Sequence, residues 1–417
     1  MTQVHSSRVT NGAFLILGVL LIAIGLRSPI TGVGPLLEQM QQQLSLSATQ
    51  AGMLTTLPLL VFACFSPIAS KIGRRIGLER ALMLSLFCLL IGITVRSFGS
   101  LTSLFGGTLI IGVGIAIANV LLPSLMKRDF PTKVATITSI YVLMMGVGSA
   151  LSASLAIPMM HLADSLSISF IPNWAFALGG IIIFPIIAIF VWLPQIKNRT
   201  KPTQDTLEFD SHSYIWYSAS AWQITLFLAL NSFLMYTFIS WLPSILIDSG
   251  YSHENAGVIH GLLQLFTAVP AIIMIPMMAK MKDKRLLSTG LTSLVLISIL
   301  GFILLPTLAI VWSMMFGFGA GGGFILALTL ISIRTSDPHQ AASLSGMAQC
   351  LGYLLAASGP VLIGAVHEAS GSWTLPLLIC VFANVLWIIF SFFASKSELI
   401  LSPQQDELAQ QTLAQQV

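Results

Sequence analysis

Long apolar runs follow one another almost end to end along this chain, separated by short polar and basic breaks. Runs of 18 or more apolar residues read as membrane spans. The pattern predicts twelve helices, at roughly 12–36, 51–70, 79–97, 102–126, 133–160, 174–194, 221–243, 256–278, 286–305, 309–333, 341–366 and 373–394. The first run is too long for a signal-peptide core and no A-x-A cleavage site follows it, so it is expected to stay as a span. Any one run could be the core helix of a soluble protein; twelve in succession could not.

The polar breaks supply an orientation. Lys71, Arg74, Arg75 and Arg80 lie in the break after the second run, and Lys127, Arg128 and Lys133 in the break after the fourth. Lys197, Arg199 and Lys201 follow the sixth, and Lys280, Lys282, Lys284 and Arg285 follow the eighth. With Arg8, Arg334 and Lys396, seventeen of the nineteen Lys and Arg residues fall on one side of a twelve-span chain. The positive-inside rule then places both termini in the cytoplasm. Only Arg27 and Arg96 remain apart from that side.

Composition agrees. Of 417 residues, 55% are apolar and 8% charged, against about 25% charged in soluble domains. Soluble enzymes are excluded. So are nucleic-acid binders, because a net charge of +4 is small and scattered. Cys64, Cys88, Cys350 and Cys380 sit apart inside apolar runs, with no CxxC or Cys/His spacing, and read as small buried residues, not as a metal site or disulfide frame.

The longest break divides the chain into an expected six-helix bundle at 1–195, a cytoplasmic linker at 196–220 and a second bundle at 221–395. A Gln-rich tail at 396–417 is expected to be disordered. The linker holds Pro202 and the acids Asp205, Glu208 and Asp210. Tyr214, Trp216, Tyr217 and Trp222 then gather as interfacial anchors do. A repeat supports the division: Arg128, Ala135, Ser139 and Gly146 recur 206 residues later as Arg334, Ala341, Ser345 and Gly352. Two parallel six-helix repeats describe the major facilitator architecture, with solute bound between the halves.

Local motifs carry the resemblance further. S-P-I-A-S-K-I-G-R-R at 66–75, between helices 2 and 3, resembles the major facilitator loop signature, with Ser70 in place of the usual acid. L-R-S-P-I-T-G-V-G-P-L-L at 26–37, N-V-L-L-P at 119–123 leading into K-R-D-F-P, and W-L-P at 241–243 are more specific. So are S-G-M-A-Q at 345–349, G-Y-L-L-A-A at 352–357 and G-S-W-T-L-P at 371–376. Together they resemble the cyanate and 2-nitroimidazole permease (CynX/NimT) branch over about residues 12–395. The resemblance implies a multi-pass transporter of the inner (plasma) membrane that works by alternating access.

Arg27 is the informative position. Fifteen residues at 1.5 Å each put it roughly 22 Å along the first helix and about 14 Å short of the outer end at Leu36, too deep for easy snorkelling. A cation there costs about 2.5–3.5 kcal/mol and faces a partner or a watery cavity. Pro29, Gly32, Gly34 and Pro35 follow, so the helix is expected to break beside it. A substrate or gating role competes with a structural ion pair. The acids fall at helix ends or in breaks, so the cation-holding carboxylate of a drug exporter is missing. A fork-shaped fixed charge instead suits a small planar anion or a strongly dipolar group such as cyanate, a nitro group or an azole.

Asn119, Tyr141, Asn231, Tyr236, Gln264, Gln349 and Tyr353 lie at comparable depth and form the candidate lining, though each alone is more often an interhelical hydrogen-bond partner. His260 could couple transport to protons or be a structural histidine. Arg128 and Arg334, at repeat-equivalent ends, could gate or simply anchor, and the signature motif adds Arg74 to the gating candidates. The run Gly317, Gly319, Gly321, Gly322 and Gly323 lacks the Lys-Ser/Thr of a phosphate loop and reads as a close helix crossing.

The expected partners are a small-molecule solute, the bilayer and, as one candidate coupling ion, protons. No cofactor, metal or nucleic acid is expected, and the protein is expected to act as a monomer. The rival reading is a drug/proton antiporter exporting hydrophobic toxicants, against which stands a fifth helix (M-G-V-G-S-A at 145–150) without that group's Gly-Pro pair. An enzyme is not expected, because no nucleophile or metal cluster is visible within the spans.

Overall fold

The computed structural model describes residues 12–46, 48–167, 171–197, 213–281, 283–396 and 399–400. Arg8, most of the expected linker with its three acids, Lys282 and the tail from residue 401 lie outside the described residues.

The described chain is helical throughout. In order, the helices are α1 (Gly12–Thr31), α2 (Leu37–Leu44), α3 (Ala48–Ile76), α4 (Leu78–Arg96), α5 (Leu101–Asp129), α6 (Val134–Ser165), α7 (Asn173–Gly179) and α8 (Ile183–Trp192). Then follow α9 (Ala219–Asp248), α10 (His253–Phe266), α11 (Val269–Lys280), α12 (Arg285–Leu304), α13 (Ala309–Ile333), α14 (Pro338–Ser370) and α15 (Thr374–Ala394). Twelve segments among the described residues are long and apolar enough to cross a membrane, and each matches one of the twelve predicted spans.

The differences are at ends and breaks. Helices α6, α9 and α14 run on past the expected ends, through polar residues that stay helical although they no longer read as apolar. The segment 66–75, expected between two helices, is itself helical. The turn comes later, at Gly77, whose φ of +88° is open to glycine at little cost. The eighth span is broken between α10 and α11, because Pro270 at the start of α11 has no N–H to continue the ladder.

Two compact units are resolved. The first takes the described residues of Met1–Pro58, Lys71–Asn119 and Val147–Gln204; the second takes Leu59–Ser70, Val120–Gly146 and Asp205–Val417. Helices α3, α5 and α6 therefore contribute a segment to each.

In the first unit, α1 packs on α6 and α8. Gly18 lies against the fully buried Trp192 ring, Gly148 against the Ile24 carbonyl and Gly32 against the Ser152 hydroxyl. Gly92 and Gly107 draw α4 and α5 together until a Cβ at either would overlap the facing backbone. Trp174, Leu36, Met40 and Leu104 form an apolar cluster near α2.

In the second unit, the glycine run makes α13 a central crossing helix. Gly317 and Gly321 lie against the Leu263 and Thr267 carbonyls, Gly319 and Gly322 against Leu291 of α12, and Gly323 against Trp387 of α15. The close-crossing expectation holds. Phe238 stacks on Phe316 with centroids 4.1 Å apart, closing the α9–α13 contact.

Candidate functional site

One candidate feature, in the first unit, is the end of α1, which runs through Pro29 to Thr31 and gives way to a turn inside the same apolar span. Pro29 lies inside this helix, and beyond it the ladder tightens: the Val33 N–H donates to Ile30 instead of Pro29, at 3.3 Å. Backbone groups at a break inside a membrane must find other partners, and here side chains supply them. Ser152 Oγ donates to the Ser28 carbonyl at 2.7 Å. Thr31 Oγ1 lies 3.2 Å from the Arg27 carbonyl and 3.3 Å from that of Ser149. Arg96, the last residue of α4, donates from Nη1 to the Pro29 carbonyl at 2.5 Å. Arg27 stands on this segment, half-buried.

Arg96 is the residue the sequence reading missed. Arg27 alone was expected within the membrane, and no role was expected for Arg96. The structure buries Arg96 to 1% exposure, deeper than Arg27. Its Nε and Nη2 have no hydrogen-bond partner among the described residues. A buried charge without a counter-ion is unfavourable by several kcal/mol. The one available signal was that Arg96 and Arg27 alone stand away from the basic side.

A separate candidate feature lies in the second unit. Ser345, Gln349 and Tyr353 recur every four residues along α14 and so share one face, and Gln349 Nε2 donates to Ser345 Oγ at 2.8 Å. A crevice there, too narrow in this structure to admit a water, is bordered by Leu228, Ser232, Phe324, Gln349, Gly352 and Tyr353. The Tyr353 ring meets Phe62 of α3 edge-on, and Tyr141 of α6, almost fully buried, is near enough to Tyr353 for the two phenols to interact electrostatically. The structure thus brings together Tyr141, Gln349 and Tyr353. Ser232, Phe324 and Phe62 join them; Ser and Phe are too common in spans for the sequence to single them out.

Among the other candidates, Asn231 and His260 have evident local tasks. The buried Asn231 amide donates to the Ala320 carbonyl at 2.9 Å, tying α9 to α13. Gln264 lies on α10 just before the α10–α11 break, where its backbone carbonyl accepts from Thr267 Oγ1. His260 is bonded to the Ile239 carbonyl of α9. Asn119 and Tyr236 are half-buried, on α5 and α9.

At the basic end, Arg74 is half-buried in the last turn of α3. Arg128 grips its neighbour Asp129 through two bonds of 2.8 and 2.6 Å. Arg334 donates to the Ala394 carbonyl at 3.0 Å, and its own carbonyl accepts from the Ile400 N–H at 2.8 Å. Ser332 Oγ donates to the Pro123 carbonyl at 2.9 Å and Ser124 Oγ to that of Pro338 at 2.5 Å. Hydroxyl–carbonyl bonds thus join α5 to α13 and α14. Nearby, burial lowers the Lys284 ammonium, and the positive charge of Arg334 acts in the same direction. Asp283 is held below the usual carboxylate range, first by the Arg285 backbone N–H. Among the described residues no group of three His, Cys, Asp or Glu could hold a metal.

Residues 13–360 match the profile of the Major Facilitator Superfamily. The chain is 44% identical to the 2-nitroimidazole transporter of Escherichia coli strain K12 over 400 residues, covering 96% of this chain and all of that one. It is 26% identical to the cyanate transport protein CynX of the same organism over 361 residues, or 86% of this chain and 91% of the relative. Among solved structures, the transporter FucP in its outward conformation superposes with a TM-score of 0.72 over 92% of this chain and all of that one, at 13% identity, a likeness of fold alone. The chain is therefore a twelve-span transporter, not an enzyme, and belongs to the Major Facilitator Superfamily, in the cyanate and 2-nitroimidazole permease (CynX/NimT) family.

Proposed function

We propose that this protein is a secondary transporter moving a small anionic or strongly dipolar solute, of the cyanate or nitroimidazole kind, across the inner membrane by alternating access. The carrying observation is Arg27, a fixed charge on the last turns of α1, whose carbonyls are met by Ser152, Thr31 and Arg96. A guanidinium presents a flat fork of donors that pairs with planar, electron-rich groups, and its charge attracts anions. The names of the two relatives, one for cyanate and one for 2-nitroimidazole, agree with that chemistry. Tyr141, Gln349 and Tyr353 are read as orienting groups, able to stack on a ring or donate to an oxygen or nitrogen.

The rest of the reading is a monomer with both termini in the cytoplasm and protons as the candidate coupling ion. The loop charges support the orientation.

The test is a thermal-shift panel on purified protein with cyanate, nitrate, small carboxylates, 2-nitroimidazole, other azoles and a set of bulky hydrophobic compounds. At least one anion or nitro-azole should raise the melting temperature of the wild type and leave Arg27→Gln unmoved. Equal shifts in both proteins would overturn the role of Arg27. Protection only by bulky hydrophobic compounds would favour the drug-exporter reading.

A further inference from the structure

Both arginines that stand apart from the basic end bear on the same few residues of α1. Arg27 belongs to that segment, and Arg96 reaches it from the end of α4 by its bond to the Pro29 carbonyl. We propose that Arg96 is a positioning residue: by holding the Pro29 carbonyl it fixes the last turn of α1 and, with it, the place and direction of Arg27 two residues earlier. This rests on the reading of Arg27 as the solute-selecting group.

Three features carry the inference. The Pro29 carbonyl is passed over by the Val33 N–H, which turns to Ile30, so a donor from outside the helix is needed there. Arg96 supplies it from a closed compartment. Gly107 lets α5 approach so closely that a Cβ there would overlap the Arg96 backbone, and the side chain is 1% exposed. A solute does not touch a group so enclosed, which distinguishes positioning from binding. Finally, Nε and Nη2 have no partner among the described residues. Packing alone would be served as well or better by an apolar side chain of similar length, because an unpaired buried charge opposes folding. What Arg offers and Met does not is a long, flat donor.

The experiment compares wild type, Arg27→Gln, Arg27→Lys, Arg96→Met, Arg96→Lys and the Arg27→Lys/Arg96→Met double variant. Affinities for 2-nitroimidazole and for cyanate are measured beside the melting temperature without ligand. Arg96→Met should weaken binding of a probe tenfold or more while melting no lower than wild type, and Arg96→Lys should recover part of the loss. On the Arg27→Lys background, Arg96→Met should add less than a twofold loss, because it acts through the same arginine. Wild-type affinity in Arg96→Met, a loss that tracks a falling melting temperature, or losses that multiply would each overturn the positioning role. Wild-type affinity in Arg27→Gln would instead overturn the reading of Arg27. A measurement without ligand completes the test. Amide exchange over residues 27–33 should rise about tenfold in Arg96→Met relative to wild type, and unchanged exchange would overturn the proposal.

Discussion

The Tyr353 ring meets the ring of Phe62 edge-on, with centroids 4.9 Å apart and planes inclined at 61°. Edge-to-face pairs are worth about 0.5–1.5 kcal/mol beyond the area they bury, so the ring has a packing role that is distinct from anything its hydroxyl does. The two separate by substitution. Tyr353→Phe keeps the ring pair and should lose no more stability than one hydrogen bond, about 0.5–1.5 kcal/mol. If the hydroxyl donates to the solute, the same variant should bind its best ligand about three- to tenfold more weakly, the range of one hydrogen bond. Tyr353→Ala should lose both affinity and stability. Titration of the three proteins, with melting curves, checks this; full affinity in Tyr353→Phe would remove the hydroxyl from the site.

Gly321 is the tightest point of the α13 crossing, where an added Cβ would meet the backbone carbonyl of Thr267. A carbonyl in a helix cannot swing aside as a side chain can, so Gly321→Ala should destabilise by about 1–3 kcal/mol. Gly290 on α12 is the control, since nothing lies within 4 Å of its added Cβ, and alanine there gains helix propensity of up to about 1 kcal/mol. Thermal unfolding in detergent should show a marked drop for the first variant and none for the second. Equal melting temperatures would mean that the crossing is looser than these distances imply.

The twelve spans were legible because each is set by hydropathy over about 20 residues, a signal that no distant contact can reverse. The stripe on α14 was half legible: Gln349 and Tyr353 stand out as polar residues in an apolar run, whereas Ser345 does not. Arg96 was passed over for a physical reason. Its burial depends on Gly107 of the next helix and on a carbonyl freed at Pro29, 67 residues earlier. Neither contact leaves a periodicity in the sequence, and an arginine at a span end ordinarily anchors at the interface. The break at Thr267 was signalled by Pro270, but a proline inside a membrane helix is often accommodated without interruption, as Pro243 in α9 and Pro360 in α14 are.

The orientation carries its own prediction. With seventeen of nineteen basic residues on one side, a green fluorescent protein fused after Val417 should fluoresce, and alkaline phosphatase fused there should be inactive in a bacterial host. Ser372, exposed in the turn between α14 and α15, should lie on the opposite face. In a background without the four native cysteines, Ser372→Cys should react with a membrane-impermeant maleimide added to intact cells. Active phosphatase at the C-terminus would invert the assignment of faces.

Ser332 and Ser124 hold the basic end of the second unit together. Both are fully buried, and each donates to a proline-residue carbonyl on another helix. At about 1 kcal/mol each, the two bonds bias this arrangement by roughly 30-fold over one in which α5 separates from α13 and α14. Joining helices by hydroxyls leaves little charge to desolvate if they part, so the arrangement can be stable and still reversible. The double variant Ser124→Ala/Ser332→Ala should therefore fold, but its amides over residues 336–342 should exchange about tenfold or more faster than those of the wild type. Exchange in the α12–α15 contact, which neither serine touches, should not change. A uniform rise across the second unit would mean that the two hydroxyls serve general stability. No rise at 336–342 would mean that apolar packing alone holds these ends closed.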